Sequence, residues 1–245
     1  MWHTGLGRMR IAVISDLHIG ADDFSPAGFV DFLDHLEQKH DEIILLGDIF
    51  ECYFPVLPWK ALAEYERFAR TYRDITDRFR SPKYTLLSGN HDMVLRRARG
   101  IPSRAERGGD GYRILLSHGH EVEAAFHSAL RTRLVELYMW FVYRLKRLGC
   151  PAPYDFSYAR DYEWNMKDGG VAHVAAARNL VRRGYDVVVF GHTHVERHVE
   201  FGGGGTYINT GDCVQRRMYA SIDLERRECR LLEFPSRRVP VEREA

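Results

Sequence analysis

A chain of 245 residues is long enough to bury one sizeable core, and its 45% hydrophobic and 28% charged residues include no low-complexity tract that would favour disorder. The 35 Lys and Arg against 34 Asp and Glu give a formal net charge of +1, which excludes a global basic excess for holding a polyanion. A nucleic-acid role would need a local patch, and no strong signal of one is present.

No uncharged apolar run approaches the roughly 18 residues of a membrane span. Met1 to Arg10 has two arginines and no apolar leader core. Neither export nor spanning is therefore expected. The four cysteines, Cys52, Cys150, Cys213 and Cys229, are scattered without a C-x-x-C pair, so reduced thiols and a cytoplasmic location are expected.

In chain order, Ile11 to Ile14 reads as a buried strand, and Phe29, Phe32, Leu33 and Leu36 recur at helical spacing behind Pro26. Ile43 to Leu46 is a second strand, followed by a helix with the stripe Leu62, Tyr65, Ala69, Tyr72 and Phe79. Tyr84 to Leu87 and Ile114 to Leu116 repeat the strand signal. A long helical pattern fills Glu121 to Leu148 and stops at Gly149, Cys150 and Pro151. Its stripe of Val122, Phe126, Leu130, Leu134, Leu137, Phe141, Leu145 and Leu148 is expected to face the core. Tyr138, Met139, Trp140, Val142 and Tyr143 extend the apolar surface around the helix, and Arg131, Arg133, Arg144, Lys146 and Arg147 flank it. Such a helix needs a cover, either a dimer partner or an interfacial role beside acyl chains and an anionic bilayer.

A helix over about Val171 to Arg183 precedes the strand Val187 to Phe190. Hairpins follow: Val195 to Phe201, the Gly202 to Gly205 turn, Thr206 to Asn209, Met218 to Leu224, and Cys229 to Phe234. These predict an antiparallel sheet packed on an α/β half, a β-sandwich flanked by helices. One domain over 1–245 is expected, with a helical insertion at about 121–168.

Five strand ends run into polar clusters: Asp16-Leu17-His18, Gly47-Asp48, Gly89-Asn90-His91-Asp92, His118-Gly119-His120 and Gly191-His192-Thr193-His194. Taken singly, an Asp-x-His or a Gly-Asp is an ordinary turn. Together they would leave many polar groups unsatisfied without a ligand. Asp, Asn and His donors suit Mn²⁺, Fe²⁺ or Zn²⁺, with Mn²⁺ favoured. Asp48 is placed to bridge two ions at the roughly 3.5–4 Å separation of two-metal phosphoryl chemistry. Two such ions would convert a shared water to hydroxide for in-line attack on phosphorus.

These ordered motifs resemble those of the calcineurin-like metallophosphoesterases, over about residues 11 to 224. The resemblance implies a four-layer α/β/β/α sandwich of two mixed sheets. It implies one divalent ion on Asp16, His18, Asp48 and His194, and a second on Asp48, Asn90, His118 and His192. Within that family, Ser15 to Gly20, Gly47 to Glu51 and Tyr207 to Asp212 look most like the UDP-2,3-diacylglucosamine pyrophosphatase branch. This chain has His91 where the best-known members have Arg, His120 where they have Asp, and Cys213 where they have Trp.

His91 is the candidate acid or electrostatic stabiliser for the leaving oxygen, and Glu51 the carboxylate that orients it. His120 and Asp92 read as supporting residues. Arg96 and Arg97, in the basic group with Arg99, Arg104 and Arg107, are candidate contacts for a substrate diphosphate. Asn209 and Asp212 are candidates for the site rim. The expected substrate is a phosphorylated small molecule, foremost a nucleotide-linked and lipid-bearing pyrophosphate. Peripheral contact with the inner face of a membrane, or a homodimer through 122–148, would cover the long helix. A phosphodiesterase, nuclease or protein phosphatase on the same metals is the alternative, and a non-catalytic scaffold is disfavoured by the complete ligand set.

Overall fold

A computed structural model describes residues 9–22, 24–52, 58–123, 126–157, 159–160, 170–235 and 237–244. The expectations for Met1 to Arg8 and for the far end of the 121–168 insertion fall outside them.

Strands β1 (Arg10–Ile14), β2 (Glu42–Leu46) and β3 (Tyr84–Leu87) pair in parallel. β4 (Arg104–Gly109) and β5 (Tyr112–Ser117) form an antiparallel hairpin. They are followed by β6 (Val187–Phe190), β7 (Arg197–Phe201), β8 (Thr206–Asn209), β9 (Met218–Asp223), β10 (Glu228–Glu233), β11 (Arg237–Arg238) and β12 (Glu242–Glu244). Two six-stranded mixed sheets result, ordered β11-β10-β9-β1-β2-β3 and β12-β7-β8-β6-β5-β4.

Alternation along the strands creates the layers. Ile11 and Val13 of β1 meet Val187 and Val189 of β6 between the sheets, with Ile44, Leu46, Ile114, Leu116 and Ile208. Ala12 and Ile14 point the other way, onto α1 (Phe29–Lys39) through Phe29, Phe32, Leu33 and Leu36. That outer layer also holds α2 (Pro58–Thr71), α3 (Arg73–Thr76) and α4 (Met93–Arg99). α5 (Ala129–Arg147) packs there through Trp140 and Tyr143. Val188 and Phe190 pack outward on α6 (Val171–Arg182) through Val174 and Ala177. The outcome is a helix, sheet, sheet, helix sandwich.

Three expectations are corrected. The C-terminal hairpins form no separate antiparallel sheet: β7 and β8 join β6, whereas β9 and β10 extend the sheet of β1. The reason is register, since Ile11 and Val13 pair directly with Ile222 and Ala220. The helical pattern over Glu121 to Leu148 is interrupted: a 3₁₀ turn occupies His120–Val122, and α5 begins only after Ser128, whose hydroxyl accepts from the Arg131 amide.

The face of α5 is also reversed. Leu130, Leu134, Leu137, Phe141 and Leu148 are exposed, at 71%, 58%, 45%, 53% and 82%. The inward residues are Thr132, Glu136 and Val142. Arg97 of α4 explains this, because its guanidinium lies 2.9 Å from the buried Glu136 carboxylate and selects that face. Among the described residues, no helix is long and apolar enough to cross a membrane.

Candidate metal centre

The C-terminal ends of β1, β2, β3, β5 and β6 bring the five motifs to one edge of the sandwich, where ligands bind in sheets of this kind. Asp16, His18, Asp48 and Asn90 come from one sheet, and His118, His192 and His194 from the other. Backbone hydrogen bonds lock the loops together: Asp16 N to Gly47 O, His18 N to Asp48 O, and Gly191 N to His118 O.

The motif backbone curls instead of staying extended. Asp16, His18, Asp48, His192 and His194 all have positive φ, between 47° and 72°. Asp and His visit this region more readily than bulkier residues, yet each instance costs of order 1–3 kcal/mol. Curling sends His194 toward Asp16 and His18, and His192 toward Asp48 and His118. Glycine permits the close approach: a Cβ on Gly89 would lie 2.1 Å from Asp48 Oδ1, and one on Gly191 2.6 Å from Asp16 Oδ2.

The donor atoms stand where ions would hold them. His18 Nε2 and His194 Nε2 are 3.3 Å apart, and His194 Nε2 is 3.4 Å from Asp16 Oδ1. His118 Nε2 is 3.2 Å from Asp48 Oδ2 and 3.1 Å from Asn90 Oδ1. Two donors about 2.0–2.1 Å from a tetrahedral ion are separated by about 3.3–3.4 Å. Asp16 Oδ1 is fully buried and has no hydrogen-bond partner, as an oxygen reserved for a cation would be. Asp48 Oδ2 lies 3.2 Å from His118 and 4.0 Å from His18, between the two groups. The residues fit two divalent ions with Asp48 between them.

Electrostatics agree. Burial would lower His18 and His118, but Glu51 holds His18 up at about 9 and Asp48 with Asp16 holds His118 at about 10. The carboxylates thus draw positive charge into a dry site. Burial would raise Asp48, yet His118 and its neighbours keep it well below the usual carboxylate range. Glu51, pushed up by burial and pulled down chiefly by His91, sits at about 2.

The supporting residues take separate tasks. Glu51 receives His18 Nδ1 at 2.8 Å and His91 Nδ1 at 2.9 Å. The His118 ring meets Leu46 O through Nδ1 at 2.9 Å, turning Nε2 inward. Asp92 accepts the Gly89 and Ile49 amides at 2.6 and 2.9 Å, and burial lifts it to about 6.

The other predicted site residues divide: the Asp212 charge acts on His194, whereas Asn209 and the arginines are engaged by other partners. Asn209 is fully buried and spends its amide on Gly191 O, Tyr207 and the Gly211 N–H, so it shapes the loop under the site instead of facing it. Asp212 accepts the Val214 amide at 2.7 Å, at the start of the short helix α7 (Cys213–Arg216). The arginine group is dispersed: Arg97 pairs with Glu136, Arg99 with Glu66 and Arg107 with Glu42. Arg96 is exposed on α4, and among the described residues neither it nor Arg97 makes a hydrogen bond or ion pair with the seven candidate ligands.

Sequence reasoning missed Ser15, Thr210 and Glu123. Ser15 Oγ contacts Asp16 Oδ2 and lies 2.6 Å from Thr210 Oγ1. Glu123 Oε1 holds His192 Nε2 at 2.7 Å, which leaves Nδ1 for the Asp48 side. The Glu121-x-Glu123 spacing behind His118 was the available signal.

The family model described as calcineurin-like phosphoesterase matches residues 9–196. Solved structures resembling the chain include a dimetal phosphatase from Danio rerio, with a TM-score of 0.48 and 12% identity over 96% of this chain and 97% of that one. Vps29 complexed with zinc from Entamoeba histolytica gives 0.47 and 15% over 94% and 98%. A predicted phosphoesterase from Streptococcus pneumoniae gives 0.46 and 15% over 96% and 94%. No curated protein is similar enough in sequence to count as a match.

Proposed function

Because the chain belongs to the calcineurin-like phosphoesterase family, and is thereby a metal-dependent phosphohydrolase with a binuclear centre, we propose that it cleaves the phosphoanhydride of a nucleotide-linked, acyl-bearing substrate. The observation that carries this reading is the apolar face of α5. Leu130, Leu134, Leu137, Tyr138 and Phe141 stay in solvent, while Trp140 and Tyr143 of the same helix pack on the cluster that holds Ile49, Phe50 and Cys52 on either side of Glu51. An aromatic and aliphatic surface flanked by Arg131, Arg133, Arg144 and Arg147 suits acyl chains joined to an anionic head group. The motif residues Ser15 to Gly20, Gly47 to Glu51 and Tyr207 to Asp212 point to the same branch.

When bound, the two ions, of which Mn²⁺ is the proposed pair, would supply a water nucleophile at neutral pH and charge for the phosphoryl oxygens. Asp16, His18, Asp48 and His194 would hold one, and Asp48, Asn90, His118 and His192 the other. The remaining work falls to this chain's own groups. Glu51 fixes the His91 ring through Nδ1, which leaves Nε2, 3.9 Å from Asp48 Oδ2, as the nitrogen that would meet the leaving oxygen. His91 would donate a proton or a hydrogen bond there.

Turnover with added Mn²⁺ tests the reading. Nucleotide-sugar anhydrides, with and without acyl chains, are compared with phosphodiesters and phosphomonoesters. The acylated anhydride is expected to have the highest kcat/KM. Equal or faster cleavage of a simple phosphodiester would overturn the substrate assignment.

A further inference from the structure

Behind His192, on the side away from Asp48, lies a second group of donors. Glu123, His173 and His192 each present one ligand atom, all within 4.8 Å of one another. His173 stands on α6 at 3% exposure, and its ring centroid is 5.9 Å from that of His192. The backbone of Gly119 hydrogen-bonds its ring, whereas Nε2 is buried with no partner at all. The bonded nitrogen is therefore Nδ1. Donating Nδ1–H to a carbonyl leaves the lone pair on Nε2, the tautomer that metal-ligating histidines adopt. A buried acceptor left unpaired costs about 1–3 kcal/mol. Glu123, with 30% of its side chain exposed, provides a carboxylate and a path from solvent.

We propose that Glu123, His173 and His192 form a third divalent-cation site, sharing the His192 imidazole with the binuclear centre. Two imidazoles and one carboxylate are a zinc-type donor set that leaves a fourth position for solvent. His192 meets Glu123 through Nε2 at 2.7 Å, a hydrogen-bond separation. When a cation replaces the proton between them, the part-exposed Glu123 carboxylate draws back by about 0.6 Å to the spacing of two donors on one ion, and the proton leaves to solvent. Nδ1 remains with the Asp48 and His118 side. The neighbouring His120 also has a buried Nδ1 without a hydrogen-bond partner, but it stands outside the three-donor group, 3.6 Å from Glu121 and with its ring packed on Phe126. The inference rests on the binuclear reading only for the occupant of Nδ1.

Zn²⁺ titrated into metal-stripped full-length protein, with elemental analysis after dialysis, tests the site. Wild type should saturate at three ions per chain. His173→Phe, which fills the ring volume without a donor, and Glu123→Gln, which keeps a hydrogen-bond acceptor for His192, should each saturate at two. Circular dichroism checks that the variants fold. Saturation of wild type at two, or of His173→Phe at three, would overturn the third site and leave the binuclear centre standing. Saturation of wild type at one or none would overturn the binuclear centre as well.

Discussion

His91 Nδ1 lies 2.9 and 3.0 Å from the two carboxylate oxygens of Glu51, and one of those oxygens also receives His18 Nδ1 at 2.8 Å. One buried carboxylate thereby orients a metal-site histidine and the histidine proposed to meet the leaving group. His91→Ala is expected to lower kcat by about 10²- to 10⁴-fold while metal content stays at the wild-type level. A nitrophenyl ester, whose leaving group needs little protonation, should hide most of the defect. Unchanged kcat on a poor leaving group would reduce His91 to a structural role.

Asp48 stands between the two donor groups, so Asp48→Asn should disturb both ions together. Elemental analysis after dialysis is expected to show substoichiometric metal and turnover at background. A variant that retains both ions at full turnover would refute the bridging role.

The reversed face of α5 separates binding from folding. Leu134→Ser and Phe141→Ser, both on the exposed face, should leave the melting temperature near wild type and raise KM for acylated substrates, with little change for a small phosphodiester. Val142→Ser, at 2% exposure, should instead destabilise by about 1.5–3 kcal/mol. If the exposed-face variants split a dimer in sedimentation and leave KM unchanged, the acyl reading fails.

Glu42 opens β2 and is buried at the end of that strand opposite Asp48, where Arg107 grips both its oxygens at 2.5 and 2.9 Å and Thr85 donates at 2.6 Å. Burial raises the carboxyl, but Arg107 and Thr85 bring it below 4.5. The unfolded chain therefore takes up this proton first as pH falls. The pair's contribution is complete above about pH 4.5 and is lost as pH drops through the lower folded value. Glu42→Gln should cost about 1–3 kcal/mol at pH 7, less than a wholly buried pair because Arg107 keeps 26% exposure. That deficit should shrink below pH 4.5 in denaturation midpoints, and a constant deficit would refute the linkage.

His40 acts at higher pH. Burial holds it down at about 4 against 6.5, between Leu36 O and Ser221. The unfolded state binds its proton first, so this contribution declines as pH falls from about 6.5 to about 4. His40→Gln should lose stability at pH 7 and approach wild type near pH 4. Melting curves that stay parallel across that range would contradict it.

Much of this was legible in the residues alone. β1, β2, β3, β5 and β6 announced themselves as short apolar runs, and each was followed by its polar cluster, because a parallel sheet buried on both faces must place its hydrophilic chemistry at the strand ends. That order carries the resemblance, and the resemblance implies the seven candidate ligands. β4 went unread: Arg104 to Gly109 is half charged and half glycine or alanine, the composition of an edge strand with no continuous apolar signal.

Tertiary structure decided what periodicity cannot. An apolar run tells which residues avoid water but not which neighbour covers them, so α5 offered several faces, and the Arg97–Glu136 pair chose one. The same pairing engages Arg97, and buried hydrogen bonds engage Asn209. The sorting of C-terminal hairpins between two sheets depended on register against β1 and β6, which no local pattern encodes. Glu123 and His173 reached His192 from 69 and 19 residues away in the chain. A hydrogen bond or a ligand set is a relation between atoms a few ångströms apart, and only folding brings such distant positions within that distance.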